Sequence, residues 1–161
     1  MKYLITSLAT LSLMLGAGCV TQQEARINYA RERAVDTTLI GRWVVRNADL
    51  GGKPFFLPSG LELKINGTEY GIRDINKSSS YVDVGTLVFF GDELAGEPRR
   101  LDVIGKEGPN KGKRIPAIYR VSMSGREFEI CYDLGEKERP TDFVSREGTQ
   151  WLRVSYVRKP A

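Results

Sequence analysis

Glu127, Glu129, Cys131 and Asp133 alternate through the stretch REFEICYD. Side chains of a β-strand point to opposite faces in turn, so these four share one face and Phe128, Ile130 and Tyr132 share the other. Two chemistries suit such a face. Paired carboxylates serve glycoside hydrolysis, one as acid and one as base or nucleophile. A thiol serves as a nucleophile once a cation or a helix N-terminus lowers its pKa. The surroundings favour neither. The chain has no histidine, which removes every Ser-His and Cys-His pair, the commonest metal ligand and the usual base near pH 7. Carboxylates beside Cys131 raise a thiol pKa instead of lowering it. Glu127 and Glu129 therefore read as the solvated face of a strand, and Cys131 as an inert strand cysteine.

Two further stretches have chemical composition without chemical spacing. GPNKGKR, residues 108–114, carries the glycines and lysines of a phosphate loop, but no Ser or Thr follows Lys113 and no helical pattern comes after it. It reads as a basic hairpin loop, in which Lys106, Lys111, Lys113 and Arg114 could meet an anionic surface. Asp74-x-Asn76-x-Ser78 begins like a calcium loop but lacks the glycine at the sixth position and the closing glutamate. It reads as a turn. No catalytic residue, metal ligand or cofactor site is assigned, and the chain is expected to be non-enzymatic. Its formal charge of +4 mixes both signs with no basic tail or stripe, so nucleic acid is not an expected partner.

The elements that must position these residues are short strands. Apolar residues alternate with polar ones from Leu39 to Arg46 and from Leu61 to Ile65, and Asn66-Gly67 marks a tight hairpin needing positive φ. Thr68 to Ile72 supplies its partner strand. Further short runs cover Ser80–Val84, Thr86–Phe90, Arg99–Ile104, Arg114–Met123, Arg126–Asp133 and Gln150–Arg158, divided by turn clusters such as NKSSS, GDELAGEP and GEKERP. About eight strands with polar, Gly- and Pro-rich turns predict an all-β, antiparallel sandwich or barrel. Ahead of it, Thr21 and Glu24 open TQQEARINYARERAV in the manner of a capped helix, and Ile27, Ala30 and Ala34 share one face. That segment reads as a short helix or a tether.

The first residues read as an address. Met1-Lys2 gives a positive start, Tyr3 to Leu15 carries no charge, and Gly16-Ala17-Gly18 are small. This is the layout of a secretory signal, and the apolar run is short of the ~20 residues that span a bilayer. The closing Gly16-Ala17-Gly18-Cys19 resembles a bacterial lipoprotein signal, with Gly16 where leucine is usual. The resemblance implies that Cys19 is acylated and becomes the first mature residue. The protein would then be exported to the cell envelope and anchored to a membrane. Val20, where an aspartate is absent, points to the outer membrane in a cell with two. Cys131, the only other cysteine, would then have no partner within the chain. The expected organisation is a signal over residues 1–18, a tether or short helix over 19–36, and a β domain over 37–161.

An ordered series of motifs runs through the β domain: Gly41-x-Trp43, Gly85-Thr86, Pro98, Arg100-Leu101-Asp102-Val103, Gly108 with Lys111-Gly112-Lys113, Ile118-Tyr119, Cys131-Tyr132, Arg139-Pro140-Thr141-x-Phe143, and a closing Arg158. The series resembles a planctomycete-type family of uncharacterised secreted domains, with Ala117 where glycine is usual. Gly41-x-Trp43 with a late arginine is also similar to lipocalin-like barrels of about eight strands. That resemblance implies a structural set of Gly41, Trp43 and Arg158, with Arg153 the second choice for the arginine. The indole would close one barrel end and the guanidinium would lie over it. It names no ligand-binding residue. Two functions follow as expectations: a non-catalytic binding module for a small apolar or amphipathic ligand, or an envelope interaction protein whose barrel is filled by side chains and whose charged loops make contact.

Overall fold

The computed structural model describes residues 35–77, 79–91 and 97–160. Cys19 and most of the expected helix or tether lie outside the described residues, as does Ser78. After a single 3-10 turn at Thr37–Leu39, the chain forms β1 (Gly41–Leu50), β2 (Lys53–Pro54), β3 (Leu61–Asn66), β4 (Glu69–Asp74), β5 (Asp83–Phe90), β6 (Arg99–Glu107), β7 (Arg114–Val121), β8 (Glu127–Asp133) and β9 (Trp151–Arg158). Every neighbouring pair is antiparallel, and β9 returns to pair with β1 from Trp43↔Arg158 to Leu50↔Leu152. The result is a closed barrel of eight strands, with β2 as an extra strand folded back on the end of β1. Closure leaves no unpaired edge among the eight, which is how an antiparallel sheet of this size avoids edge-to-edge association.

The strands form where alternation is clean. In β5 the side chains alternate strictly between buried and half-buried. In β8, Phe128 and Ile130 are buried with the interior cluster, while Glu127 is exposed. The runs Ser80–Val84 and Thr86–Phe90 are one strand and not two. They join across Gly85, where the β5–β6 register shifts between Val84 and Gly85. The extra residue of this bulge is Lys106 on β6, so β5 runs on with its alternation intact, and a Cβ on Gly85 would lie 2.1 Å from the Ile104 carbonyl oxygen. The hairpin expected at Asn66-Gly67 turns one residue later. Asn66 pairs with Glu69, so Gly67 and Thr68 are the loop, with φ +62° at Gly67. The two-residue β2 lies in a segment whose glycines and proline read as turn.

The up-and-down order sends alternate connections to opposite ends. The 3-10 turn, the β3–β4 turn and the β7–β8 turn lie at one end. The segments 51–60, 75–77, 79–82, 108–113 and 134–150 lie at the other. One interior cluster runs from Leu39 and Trp43 to Val154 and Tyr156. A smaller cluster of Ile118, Cys131 and Trp151 lies on the outer wall, with Phe143 packed against it. Among the described residues no helix is long and apolar enough to cross a membrane.

Candidate functional site

The end of the barrel where the chain enters is sealed. Trp43 and Leu39 are 0% exposed. The Trp43 indole Nε1 donates to the Leu39 carbonyl at 2.8 Å, which locks the 3-10 turn across the barrel end. The Arg158 guanidinium carbon lies 4.1 Å from the centroid of the Trp43 ring. Its nitrogens donate to three carbonyls: Nη1 to Ile40 at 2.7 Å, Nη2 to Thr38 at 2.5 Å and Nε to Gly125 at 2.7 Å. Gly41 has φ +143°, and a Cβ there would sit 2.5 Å from Arg158 Nη1. The glycine therefore leaves room for the guanidinium. Arg153 lies elsewhere, on the outer wall, paired with Asp49 at 3.3 Å and Glu129 at 3.4 Å.

Val35 and Asp36 belong to this sealed end although the sequence places them in the tether. Asp36 caps the turn by accepting from the Thr38 N–H at 3.0 Å. It also accepts from Tyr119 at 3.0 Å and pairs with Arg99 at 2.5 Å. Burial opposes ionisation of Asp36, but its bonds from Thr38 and Tyr119 and the Arg99 charge outweigh it and hold the carboxyl below its ordinary range.

Aromatic rings fill the sealed half. Phe128 stacks on Tyr156 with centroids 5.3 Å apart, Trp43 tilts against Phe128 at 5.3 Å, and Tyr119 meets both Phe89 and Phe128 edge-on. Contacts of this kind are worth about 0.5–1.5 kcal/mol each beyond burial. The other half is lined by smaller side chains at the inward positions: Leu61, Leu63, Leu87, Val103, Leu152 and Val154. The interior is therefore not filled there. A cavity of about 140 Å³ remains, floored by Phe128 and Tyr156 and rimmed by Leu57 and Leu134 from the loops. Protein interiors are close-packed, with few voids larger than a water molecule, so a space of this size is a departure. It approaches the ~150 Å³ of an apolar cavity that takes up one benzene.

Polar groups occupy one side of the cavity, near its mouth. Asp83, the first residue of β5, is 4% exposed. Its Oδ2 accepts from the Tyr70 hydroxyl at 3.3 Å and from the Asn110 side-chain nitrogen at 2.8 Å. Its Oδ1 is buried without a hydrogen-bond partner. All three residues line the cavity, with Tyr132 and Tyr156 on the facing strands β8 and β9. Burial, followed by the Asp83 charge, raises the Tyr70 phenol far above its ordinary range. Burial pushes Tyr156 up to about 12 and raises Tyr132 well above its ordinary range, with Tyr156 adding to the effect. All three phenols are thus neutral hydroxyls at ordinary pH.

The sequence did not mark these residues. Asp83 and Asn110 sit in segments that read as turn-bounded or basic loop, and GPNKGKR turns its one amide inward while Lys111 stays exposed. One signal was present. Asp83 shares the inward parity of Leu87 and Phe89, and a carboxylate on the buried parity of a strand is unusual.

Glu127, Glu129, Cys131 and Asp133 lie on the outer wall. Glu127 pairs with Arg46 at 2.9 Å, and Glu129 accepts from Arg120 at 2.6 Å. Cys131 is 0% exposed beneath the 134–150 segment. Burial, then Asp142, pushes its thiol up to about 12, against a lesser opposing effect of Arg153. Such a thiol is not activated. Asp133 accepts from the N–H groups of Gly135, Lys137 and Glu138 and so shapes the turn that follows β8. Arg114 of the basic loop is held by Asp102 at 2.6 Å. Asp74 accepts from the Asn76 N–H at 3.0 Å in a side-chain turn. Among the described residues no group of three or more acidic or cysteine side chains is placed to hold a metal ion. No family model, curated protein or solved structure matches the chain.

Proposed function

We propose that the chain is an exported lipoprotein, acylated at Cys19 and anchored to a membrane, whose barrel is a non-catalytic binding module for one small apolar or amphipathic molecule. The observation that carries the binding reading is the cavity of about 140 Å³, apolar on most of its wall and polar on one side. An eight-stranded barrel can be filled by its side chains or can hold one small ligand. Filling only the sealed half favours the second. The rim supports entry of an apolar molecule. Phe56 is 92% exposed, and Phe55, Ile75, Tyr81 and Val82 are exposed in the loops at the same end. The lipoprotein reading is supported by the charged start, apolar run and small-residue Cys19 boundary. The lipocalin-like reading, and membership of the planctomycete-type family, are supported by the ordered motifs and by the packing of Gly41, Trp43 and Arg158.

One sample tests both parts. Full-length protein expressed with its signal and purified from the membrane is weighed twice. The denatured mass is expected to begin at Cys19 and to include acyl chains. An uncleaved or unacylated chain overturns the anchor. The native mass is expected to carry an additional small molecule that is lost on denaturation. A clean mass, with no uptake of added toluene, overturns the binding module in favour of an envelope interaction protein.

A further inference from the structure

We propose that the occupant of the barrel carries a cationic or hydrogen-bond-donating head, an amine first of all, that docks on Asp83 while its apolar body lies against the leucine and valine wall. This rests on the binding-module reading and deepens it. Two independent observations meet at one place. The first is the cavity. The second is the charge on its wall: Asp83 is the one acidic or basic side chain that lines the cavity, and its Oδ2 lies beside the Tyr70 hydroxyl and the Asn110 amide. Its Oδ1 is buried at Gly108, where an added Cβ would lie 3.0 Å from it, so a head group in the cavity meets the Oδ2 side of the carboxylate.

The sign of the charge follows from what surrounds it. Arg139, Arg114 and Lys159 are engaged on the outer wall by Asp102 and Glu62. The cavity wall itself carries Asp83 and no lysine or arginine. Tyr70, Tyr132 and Tyr156 contribute neutral hydroxyls. A fatty acid or other carboxylate would face Asp83 with like charge in a low-dielectric space, where repulsion is strong. A protonated amine would form a charge-assisted hydrogen bond there instead. Size sets the body. Space close to that of one benzene admits a single ring or a short branched chain, and excludes a long acyl chain from lying wholly inside.

The test uses four probes of equal body on the full chain: toluene, benzyl alcohol, benzylamine and benzoate, each titrated by calorimetry at neutral pH. Benzylamine is expected to bind at least ten times more tightly than toluene, with benzoate weakest of the four. In Asp83→Asn the advantage of benzylamine over toluene is expected to fall at least tenfold. Toluene binding with no preference for benzylamine overturns the head-group assignment and leaves the binding module standing. Benzoate binding as well as benzylamine overturns it too. Failure of all four to bind overturns both. The probe series on the unaltered protein decides the matter even if Asp83→Asn does not fold.

Discussion

Arg158 is a single residue that ties three parts of the chain together. Its guanidinium spans carbonyls before β1 and in the β7–β8 turn while stacking on Trp43. A fork of fixed donors can do this, whereas an ammonium cannot match three divergent acceptors and a ring face at once. Arg158→Lys is therefore expected to lose about 2–3 kcal/mol, the scale of hydrogen bonds to a charged group, read from the urea midpoint. Gly41→Ala is expected to cost about 1–3 kcal/mol, since alanine strains at φ +143° and its Cβ meets the guanidinium. Part of that cost belongs to the clash alone. In an Arg158→Ala background the same glycine change should cost less, and strict additivity in the double-mutant cycle would show that Gly41 is needed only for its backbone. The short Gly-x-Trp spacing was legible from sequence because it is local. The carbonyls that Arg158 reaches were not, because Ile40 and Gly125 come together only when the barrel closes.

At the scale of the element, the 134–150 segment behaves as a strap over the outer wall. Arg139 pins it by donating to the Leu101 carbonyl at 2.6 Å, to the Ala117 carbonyl at 2.7 Å and to Asp102 at 2.5 Å. Pro140 is fully buried, and Phe143 lies under the Arg120 guanidinium at 4.4 Å. Beneath the strap is Cys131. Arg139→Met removes the polar pin but keeps most of the side-chain bulk. At about 1.5–3 kcal/mol for such bonds, local opening should rise roughly tenfold to a hundredfold. Alkylation of Cys131 by iodoacetamide should accelerate on that scale while the β-sheet circular dichroism is unchanged. An unchanged rate would mean that Phe143 and Trp151 hold the strap without Arg139. The strands themselves were legible because period two is a local pattern, and Gly85 misled because a glycine inside a run reads as a turn, whereas β5 keeps its parity across it and the extra residue of the bulge, Lys106, is on β6. The strap, lacking any period, was legible only as a run of turn residues. The cavity was harder still. Its existence depends on the difference between aromatic rings in one half and Leu and Val in the other, summed over eight strands. Its polar corner depends on Asn110 reaching across 27 residues to Asp83.

For the whole molecule, two buried or half-buried carboxylates couple stability to acid. Glu62 is 0% exposed on the outer wall, held by Arg73 at 2.6 Å and Lys159 at 2.9 Å. Burial works against its ionised form, but the bonds and charges of Lys159 and Arg73 prevail and lower its pKa. Asp36 is lowered in the same sense at the sealed end. A carboxyl whose folded pKa lies below its unfolded value contributes stability that is full above the unfolded value and is lost as pH falls through the folded one. Stability to urea should therefore be level from pH 7 to about 5 and decline below about pH 4. Glu62→Gln should flatten part of that decline at a cost of about 2–3 kcal/mol at neutral pH. An unaltered acid limb in that variant would place the linkage at other carboxylates. Lys159 has a further significance, because it and Val35 both leave the barrel at the sealed pole. The mouth is thus the pole free of both chain ends. If the chain is anchored at Cys19, as proposed, the attachment reaches the barrel through Val35, on the side of the plugged base, and the mouth is at the opposite pole. A ligand taken up as proposed would then have its doorway at the pole away from that attachment. A fluorescent protein fused after Ala161 would leave that doorway clear.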